Sequence, residues 1–365
     1  MSIEKGKISG FQFMFLIIAF VQGSGLLISF IDSITKHDSW LVIISAFLVC
    51  IPFVLLYLAL AKMFPGSNLI EINDIIYGPY LGKFVSALYV SYFLILLSLN
   101  LRDLGDFYVN FIMPETPLIF LLICFTLVCA YALRNGIEPM ARISFTLVIL
   151  GLSIIALTII LLLKDMKYSN FLPVFEIPLQ IFFQGTHTIA AIPFGEVVVF
   201  LMVISSVNNI ENVRKFTLWG LSLSALYLLT ISMRNTAVLG NLSTIYISSG
   251  YQVTRLIDIG NFLTRLEVLI AISITTALFM KISILYYATV LGLSQITRLR
   301  TYLPLILPIG SIAVCLSLII YDSTIDHAFQ GVNYNAIQVT PFEFILPPLS
   351  LLIAKLRGFS KKRGE

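Results

Sequence analysis

Apolar runs long enough to cross a lipid bilayer recur from one end of the sequence to the other. Because an α-helix rises about 1.5 Å per residue, about 20 consecutive apolar residues span the hydrocarbon core. With 58% hydrophobic and 12% charged residues among 365, the chain is predicted to be an all-α, multi-pass membrane protein with a single domain. We expect ten transmembrane helices, near residues 11–34, 40–61, 84–112, 118–134, 142–163, 183–206, 216–239, 263–290, 303–320 and 342–356.

The distribution of lysine and arginine predicts the orientation of these helices. If the N-terminus is cytoplasmic, the connections on its side carry 15 of the 23 basic residues, whereas the opposite connections carry four. Cytoplasmic connections are enriched in lysine and arginine, so we expect both termini to lie inside. The basic segment 357–365 is then a cytoplasmic tail, which either holds the last helix in this orientation or contacts anionic lipid.

The connections between the predicted helices are too short for a soluble catalytic domain. The longest, 240–262 and 321–341, contain about 20 residues each. The sequence contains no phosphate-binding glycine loop, no serine elbow and no histidine and cysteine cluster with metal-ligand spacing. We therefore expect no enzyme activity, no cofactor, no metal site and no nucleic-acid partner.

The first predicted helix is interrupted in its middle by VQGSGLL, residues 21–27. An interrupted helix leaves backbone amides and carbonyls without helical partners, which a membrane tolerates only where these groups line a cavity or meet a ligand. The alternative is a close helix crossing, which glycine in membrane helices also permits.

The sixth predicted helix contains a second interruption, at Pro193, Phe194, Gly195 and Glu196. Proline removes a helical hydrogen bond, and a carboxylate inside an apolar helix is costly. Paired interruptions in equivalent helices of two halves are typical of inverted-repeat transporters, whose broken helices surround the ligand. The pattern therefore favours a ligand site, between a first repeat at about 11–163 and a second at about 183–356.

Four sequence runs carry a resemblance to a known family: GSGLL at 23–27, NFLPVF at 170–175, FGEVVVFL at 194–201 and RLEVLIAI from Arg265. In their order and spacing they resemble the B subunits of endospore germinant receptors, in the amino acid, polyamine and organocation transporter superfamily. The resemblance covers nearly the whole chain. It implies a LeuT-like fold that senses a small germinant, often an amino acid, in the spore inner membrane together with A and C subunits.

The same resemblance places the ligand between broken helices one and six and the faces of helices three and eight. It implies that the first break contacts a carboxylate of the ligand and that the second break forms the opposite wall of the cavity. Two residues one turn apart on helix three complete the lining. Each of these side chains either binds the ligand or only packs. The candidates are Gly23, Ser24 and Gly25; Phe194, Gly195 and Glu196; and Tyr92 and Leu96.

Lys281 is a further candidate, because it lies about 18 residues, or roughly 27 Å, along the eighth helix and inside its inner half. A lysine at this depth either snorkels to the cytoplasmic interface or finds a partner within the protein. In related transporters sodium lies between helices one and eight, and a lysine ammonium there would replace the ion. There are two further interpretations: the side chain faces the ligand cavity, or it pairs with Glu196.

Other charged residues suggest structural roles. Arg102 and Asp106, four residues apart on helix three, are expected to form an ion pair. Asp32, Asp322 and Asp326 are interpreted as solvated residues of the outer connections.

Three functions remain open from the sequence. The first is a receptor subunit that binds a germinant and transmits a signal to its partners. The second is a working amino-acid permease, and the third is a membrane scaffold with a vestigial cavity. A shared fold does not separate them.

Overall fold

The computed structural model describes residues 6–257 and 267–359, and its regular structure is helical throughout these two ranges. Short 3₁₀ and π segments connect or interrupt the α-helices. The α-helices of the described residues are α1 (Gly10–Gln22), α2 (Leu27–Thr35), α3 (Ser39–Met63), α4 (Leu69–Tyr77), α5 (Leu81–Phe111), α6 (Leu118–Arg134), α7 (Ile137–Leu162), α8 (Leu179–Ile189), α9 (Val213–Leu239), α10 (Ser249–Arg255), α11 (Glu267–Ile296), α12 (Ile306–Ile319), α13 (Thr324–Asn333), α14 (Asn335–Thr340) and α15 (Leu346–Leu356).

Helical segments occupy the described residues of all ten predicted spans. By length and composition, seven helical stretches of the described residues can cross a membrane, and the pair Leu303–Ile319 and Thr324–Asn333, bent by 95°, makes an eighth. Two shorter apolar helices, α1 and α6, correspond to predicted spans one and four. The seven long stretches are Leu27–Met63, Leu81–Phe111, Ile137–Leu162, Leu179–Met202, Val213–Thr244, Glu267–Ile296 and Asn335–Leu356.

The first helix lies at the centre of the molecule. Every residue of α1 from Phe13 to Gln22 is buried, because α7, α9 and α11 pack around it. Its start is fixed by a capping box, in which Ser9 and Gln12 each accept a hydrogen bond from the other's backbone amide. A helix that is apolar on all sides is stable only when it is enclosed in this way.

Two predicted connections contain helices. The segment 321–341 carries α13 and α14, and the described part of 240–262 carries α10. Asp32 is also not solvated, since it is fully buried on α2 and accepts a hydrogen bond from Ser249. Arg265 and the tail beyond residue 359 lie outside the described residues.

Candidate functional site

The break in the first helix is a tight turn between α1 and α2. The amides of Gly23, Ser24 and Gly25 donate to the carbonyls three residues earlier, at N···O distances of 3.0 to 3.1 Å. These amides therefore already have acceptors in this conformation. The turn also presents the Ser24 hydroxyl, which can donate or accept a hydrogen bond.

The break in the sixth helix begins where α8 ends. A π turn at Ala190–Phe194 follows, in which Ile192 leaves helical backbone geometry at φ −116° and ψ 111°. A 3₁₀ segment, Gly195–Met202, continues the chain. Pro193 lacks an amide hydrogen, and the change of helix type brings Glu196, which is 1% exposed, to face α11.

Lys281 joins the two breaks. Its ammonium Nζ lies 2.6 Å from Glu196 Oε2 and also donates to Ser24 Oγ. The Nζ atom lies 5.3 Å from the centroid of the Phe20 ring. The lysine is 1% exposed, so it does not snorkel to an interface, and the interpretation that it pairs with Glu196 describes its contacts.

Gly23 permits the close approach of α11. A Cβ atom at this position would lie 2.7 Å from Lys281 Cβ and 3.1 Å from the Ala277 carbonyl oxygen, so any side chain requires α11 to move. At Gly25, by contrast, the closest atom to an added Cβ would be the Gln22 carbonyl oxygen, at 3.3 Å. Because Gly23 has no side chain, α11 lies close enough to the break for Lys281 to contact both Ser24 and Glu196.

A cavity lies beside this cluster, and we call it the central cavity. It includes about 480 Å³ of empty space counting its open part. Five of the nine sequence candidates line it, namely Gly23, Ser24, Leu96, Glu196 and Lys281. The helices that contribute them are α1 and α2 with their turn, α5, the sixth span and α11, as the resemblance implies.

The other four candidates lie away from the central cavity. Gly25 lines a neighbouring cavity, and Phe194 packs edge to face on Phe47 with ring centroids 6.0 Å apart. Tyr92 and Gly195 both adjoin Glu343. The Tyr92 hydroxyl donates to Glu343 Oε1 at 2.6 Å, and a Cβ at Gly195 would collide with Glu343 Oε2.

Sequence reasoning missed Glu343 altogether. The carboxylate is fully buried in the π segment Pro341–Ile345, and its Oε2 atom has no hydrogen-bond partner among the described residues. Its backbone carbonyl accepts a hydrogen bond from Tyr57 at 2.6 Å. A glutamate close behind a proline in an apolar run was the available signal.

A second missed group of charged residues contributes His327 and Asp103 to the lining of the central cavity. His327 of α13 lies 3.3 Å from Asp103 and 3.0 Å from Asp106, both on α5. The predicted ion pair of Arg102 with Asp106 is present, with Nε and Oδ1 2.8 Å apart, and it is buried. Arg102 also donates to the carbonyls of Ser317 in α12 and of Tyr321 after it. The clustering of acidic and basic side chains within little more than one turn of helix three was the signal for this group.

A profile of the spore germination protein family matches residues 7–325. The chain is 28% identical to spore germination protein KB of Bacillus subtilis strain 168, across 100% of this chain and 99% of that protein. It is 26% identical to the putative spore germination protein YfkT of the same organism, across 96% of this chain and 97% of that protein.

Among solved structures, the fold is similar to that of Mhp1, a nucleobase-cation-symport-1 family transporter in a closed conformation with bromovinylhydantoin bound. The TM-score is 0.69 at 12% identity, and the match covers 93% of this chain and 79% of Mhp1. At this identity the similarity concerns the fold alone. It confirms the predicted all-α, multi-pass membrane architecture with a LeuT-like transporter fold.

Proposed function

The chain belongs to the spore germination protein family, and from this premise we propose that it is the membrane subunit of a spore germinant receptor. It binds a small nutrient, an amino acid, in the central cavity and signals through A and C partner subunits. Its place is the inner membrane of the spore, as the resemblance to germinant-receptor B subunits implies.

The observation that carries this proposal is the presence of both charge signs around the central cavity. Lys281 supplies an ammonium, whereas Glu196 and Asp103 supply carboxylates, and all three line the same space. A zwitterionic amino acid presents the complementary pair of charges. In the absence of ligand, Lys281 pairs with Glu196 and Asp103 lies beside His327. A ligand that carries both signs can replace these contacts when it enters the cavity, whereas a neutral ligand would leave a buried charge without a partner.

Lys281 also suggests how the receptor works without a coupling ion. Its ammonium lies between the break in helix one and α11, where it donates to Ser24 and pairs with Glu196. A fixed positive charge at this position repels a sodium ion at close range. We therefore expect the response to the nutrient to be independent of sodium.

The experiment is a germination assay in the spore-forming host, with single amino acids as triggers. Deletion of the gene should abolish the response to one amino acid or a few. Leu96→Trp, which fills the central cavity, should do the same while A and C subunits remain at normal abundance. A normal response of the Leu96→Trp strain would contradict the proposal.

The transporter-like fold supports a second candidate, an amino-acid permease. Uptake of a radiolabelled amino acid into proteoliposomes separates the two functions. Binding without accumulation is the result expected of a receptor subunit, whereas saturable accumulation identifies a permease. Loss of the partner subunits on deletion, with no nutrient dependence at all, identifies a scaffold.

A further inference from the structure

A second cavity lies on the other side of the break in helix one, between the break and helices α7, α9 and α11. We call it the arginine cavity. It includes about 500 Å³ of empty space counting its open part, which is close to the size of the central cavity. The two cavities share Gly23 and Leu26 as lining residues, so the broken segment is the wall between them.

Arg234 on α9 lines the arginine cavity and is 3% exposed. Its guanidinium donates to Thr158 Oγ1 at 2.8 Å and to Asn235 Oδ1 at 2.9 Å, both of which are neutral acceptors. None of the ion pairs within residues 6–257 and 267–359 involves Arg234. A buried guanidinium without a counter-charge is costly, and an anion in the cavity would compensate it.

Gln22 supplies an independent observation. It lines the same cavity, is 4% exposed, and its Nε2 atom has no hydrogen-bond partner among the described residues. An amide nitrogen donates only, so it requires an acceptor. Arg234 and Gln22 thus present donors to one cavity.

The other residues that line the arginine cavity indicate which kind of anion it can hold. Among the described residues, the lining contains no aspartate or glutamate. Asp32 is connected to Arg234 through a chain of hydrogen bonds that passes through Asn235 and Ser249, so it does not contact the guanidinium directly. Much of the wall is aliphatic, formed by Ile155, Ile231, Ile270 and Ile274. An anionic head with a short apolar body fits this combination.

We propose that the arginine cavity binds a small aliphatic carboxylate, whose carboxylate group pairs with Arg234 and accepts a hydrogen bond from Gln22. This site is separate from the central cavity and does not depend on the proposed receptor function. Arginine binds a carboxylate through two parallel N–H donors, which gives the pair geometric as well as electrostatic selectivity.

The test measures binding of 3-methylbutanoate to the purified full-length protein in lipid nanodiscs, with 3-methylbutanamide as a neutral probe of the same shape. The acid should bind saturably, and the amide at least roughly tenfold more weakly, because it lacks the charge that pairs with Arg234. Arg234→Gln should weaken binding of the acid by a similar factor and remove the preference for the acid. Arg142→Gln removes an exposed arginine elsewhere and should leave the affinity unchanged.

Two further variants keep the test decisive if Arg234→Gln does not fold. Gly25→Val narrows the arginine cavity near Ile231 while keeping the guanidinium, and should weaken binding of the acid. Leu96→Trp fills the central cavity and should leave it unchanged. Equal affinity for acid and amide, wild-type affinity in both Arg234→Gln and Gly25→Val, or no binding of the acid would overturn the proposal.

Discussion

At the scale of single residues, the Lys281 and Glu196 pair is the most consequential contact. Both side chains are nearly inaccessible, at 1% exposure each, and their charged atoms lie 2.6 Å apart. Removing one member of a buried pair leaves an uncompensated charge and costs about 3–5 kcal/mol, whereas removing both charges is much less harmful.

Lys281→Met should therefore lower the thermal stability of the purified protein sharply. The double variant Lys281→Met with Glu196→Gln should recover most of the loss, because no unpaired charge remains. Lys281→Arg keeps the charge and should fall between the wild type and Lys281→Met. Thermal unfolding in detergent measures all four proteins, and a double variant as unstable as Lys281→Met would show that the charges are not paired in this way.

The two glycines of the first break should respond differently to alanine. A Cβ at Gly23 would lie 2.7 Å from Lys281 Cβ, so Gly23→Ala overpacks the crossing and should cost about 1–3 kcal/mol. Gly25→Ala meets only the Gln22 carbonyl, at 3.3 Å, and should cost clearly less. Denaturation of the two variants side by side provides the comparison; equal losses would disprove the close crossing.

Individual functional residues could be predicted from the sequence where a charged side chain interrupts an apolar helix. Glu196 and Lys281 stand out because a charge in an apolar helix is expensive, but the sequence did not decide between several partners for the lysine. Glu343 has the same property, yet it lies two residues after Pro341, at the start of the predicted helix 342–356. Pairings such as His327 with Asp103 join residues more than 200 positions apart, and hydropathy carries no information about them.

At the scale of elements, hydropathy located the helices but not their internal geometry. The breaks in helices one and six lie where glycine and proline interrupt the apolar runs. The π and 3₁₀ turns at Ala190–Phe194 and Gly195–Met202 were not predicted, because the choice between these turns depends on packing against neighbouring helices. The helices α13 and α14 were missed because each is short, at 10 and 6 residues, and interrupted by polar side chains.

The contact between α13 and α5 offers a test at this scale. His327 pairs α13 with Asp103 and Asp106 of α5, and His327 and Asp103 line the central cavity, so His327→Gln should loosen the contact between these helices beside the cavity. In a background without native cysteines, a cysteine at Asn100 should then react faster with a maleimide. Asp326→Asn, on the same helix but not in these ion pairs, is the control. Unchanged labelling in His327→Gln would show that this contact does not restrict access to the cavity.

At the scale of the whole molecule, the multi-pass helical architecture and the transporter-like fold followed from apolar periodicity, paired breaks and the family resemblance. The number of ten spans stays a prediction, since seven or eight stretches of the described residues meet the length and composition of a membrane span. The division into repeats at about 11–163 and 183–356 stays a prediction, as do the orientation and the membrane in which the protein resides. Equivalent halves of this kind diverge in sequence while keeping their helix order, so the internal symmetry is weak in a single chain.

Orientation is open to a direct test. The basic residues of one side predict that the N-terminus, the C-terminus and the connection at Arg298 all face the cytoplasm. Single cysteines at these three places should be protected from an impermeant maleimide in intact cells and react after permeabilisation. Labelling of any of the three in intact cells would overturn the ten-span arrangement.

The central claim is that a nutrient amino acid binds in the cavity between the two helix breaks. Titration of the purified protein with the twenty common amino acids measures this directly, with Leu96→Trp and the outward-facing Ile95→Trp as a matched pair on α5. The account predicts saturable binding of one amino acid or a few, retained in Ile95→Trp and in sodium-free buffer, and lost in folded Leu96→Trp. Binding of equal affinity in wild type and Leu96→Trp, or no amino acid bound at all, would contradict it.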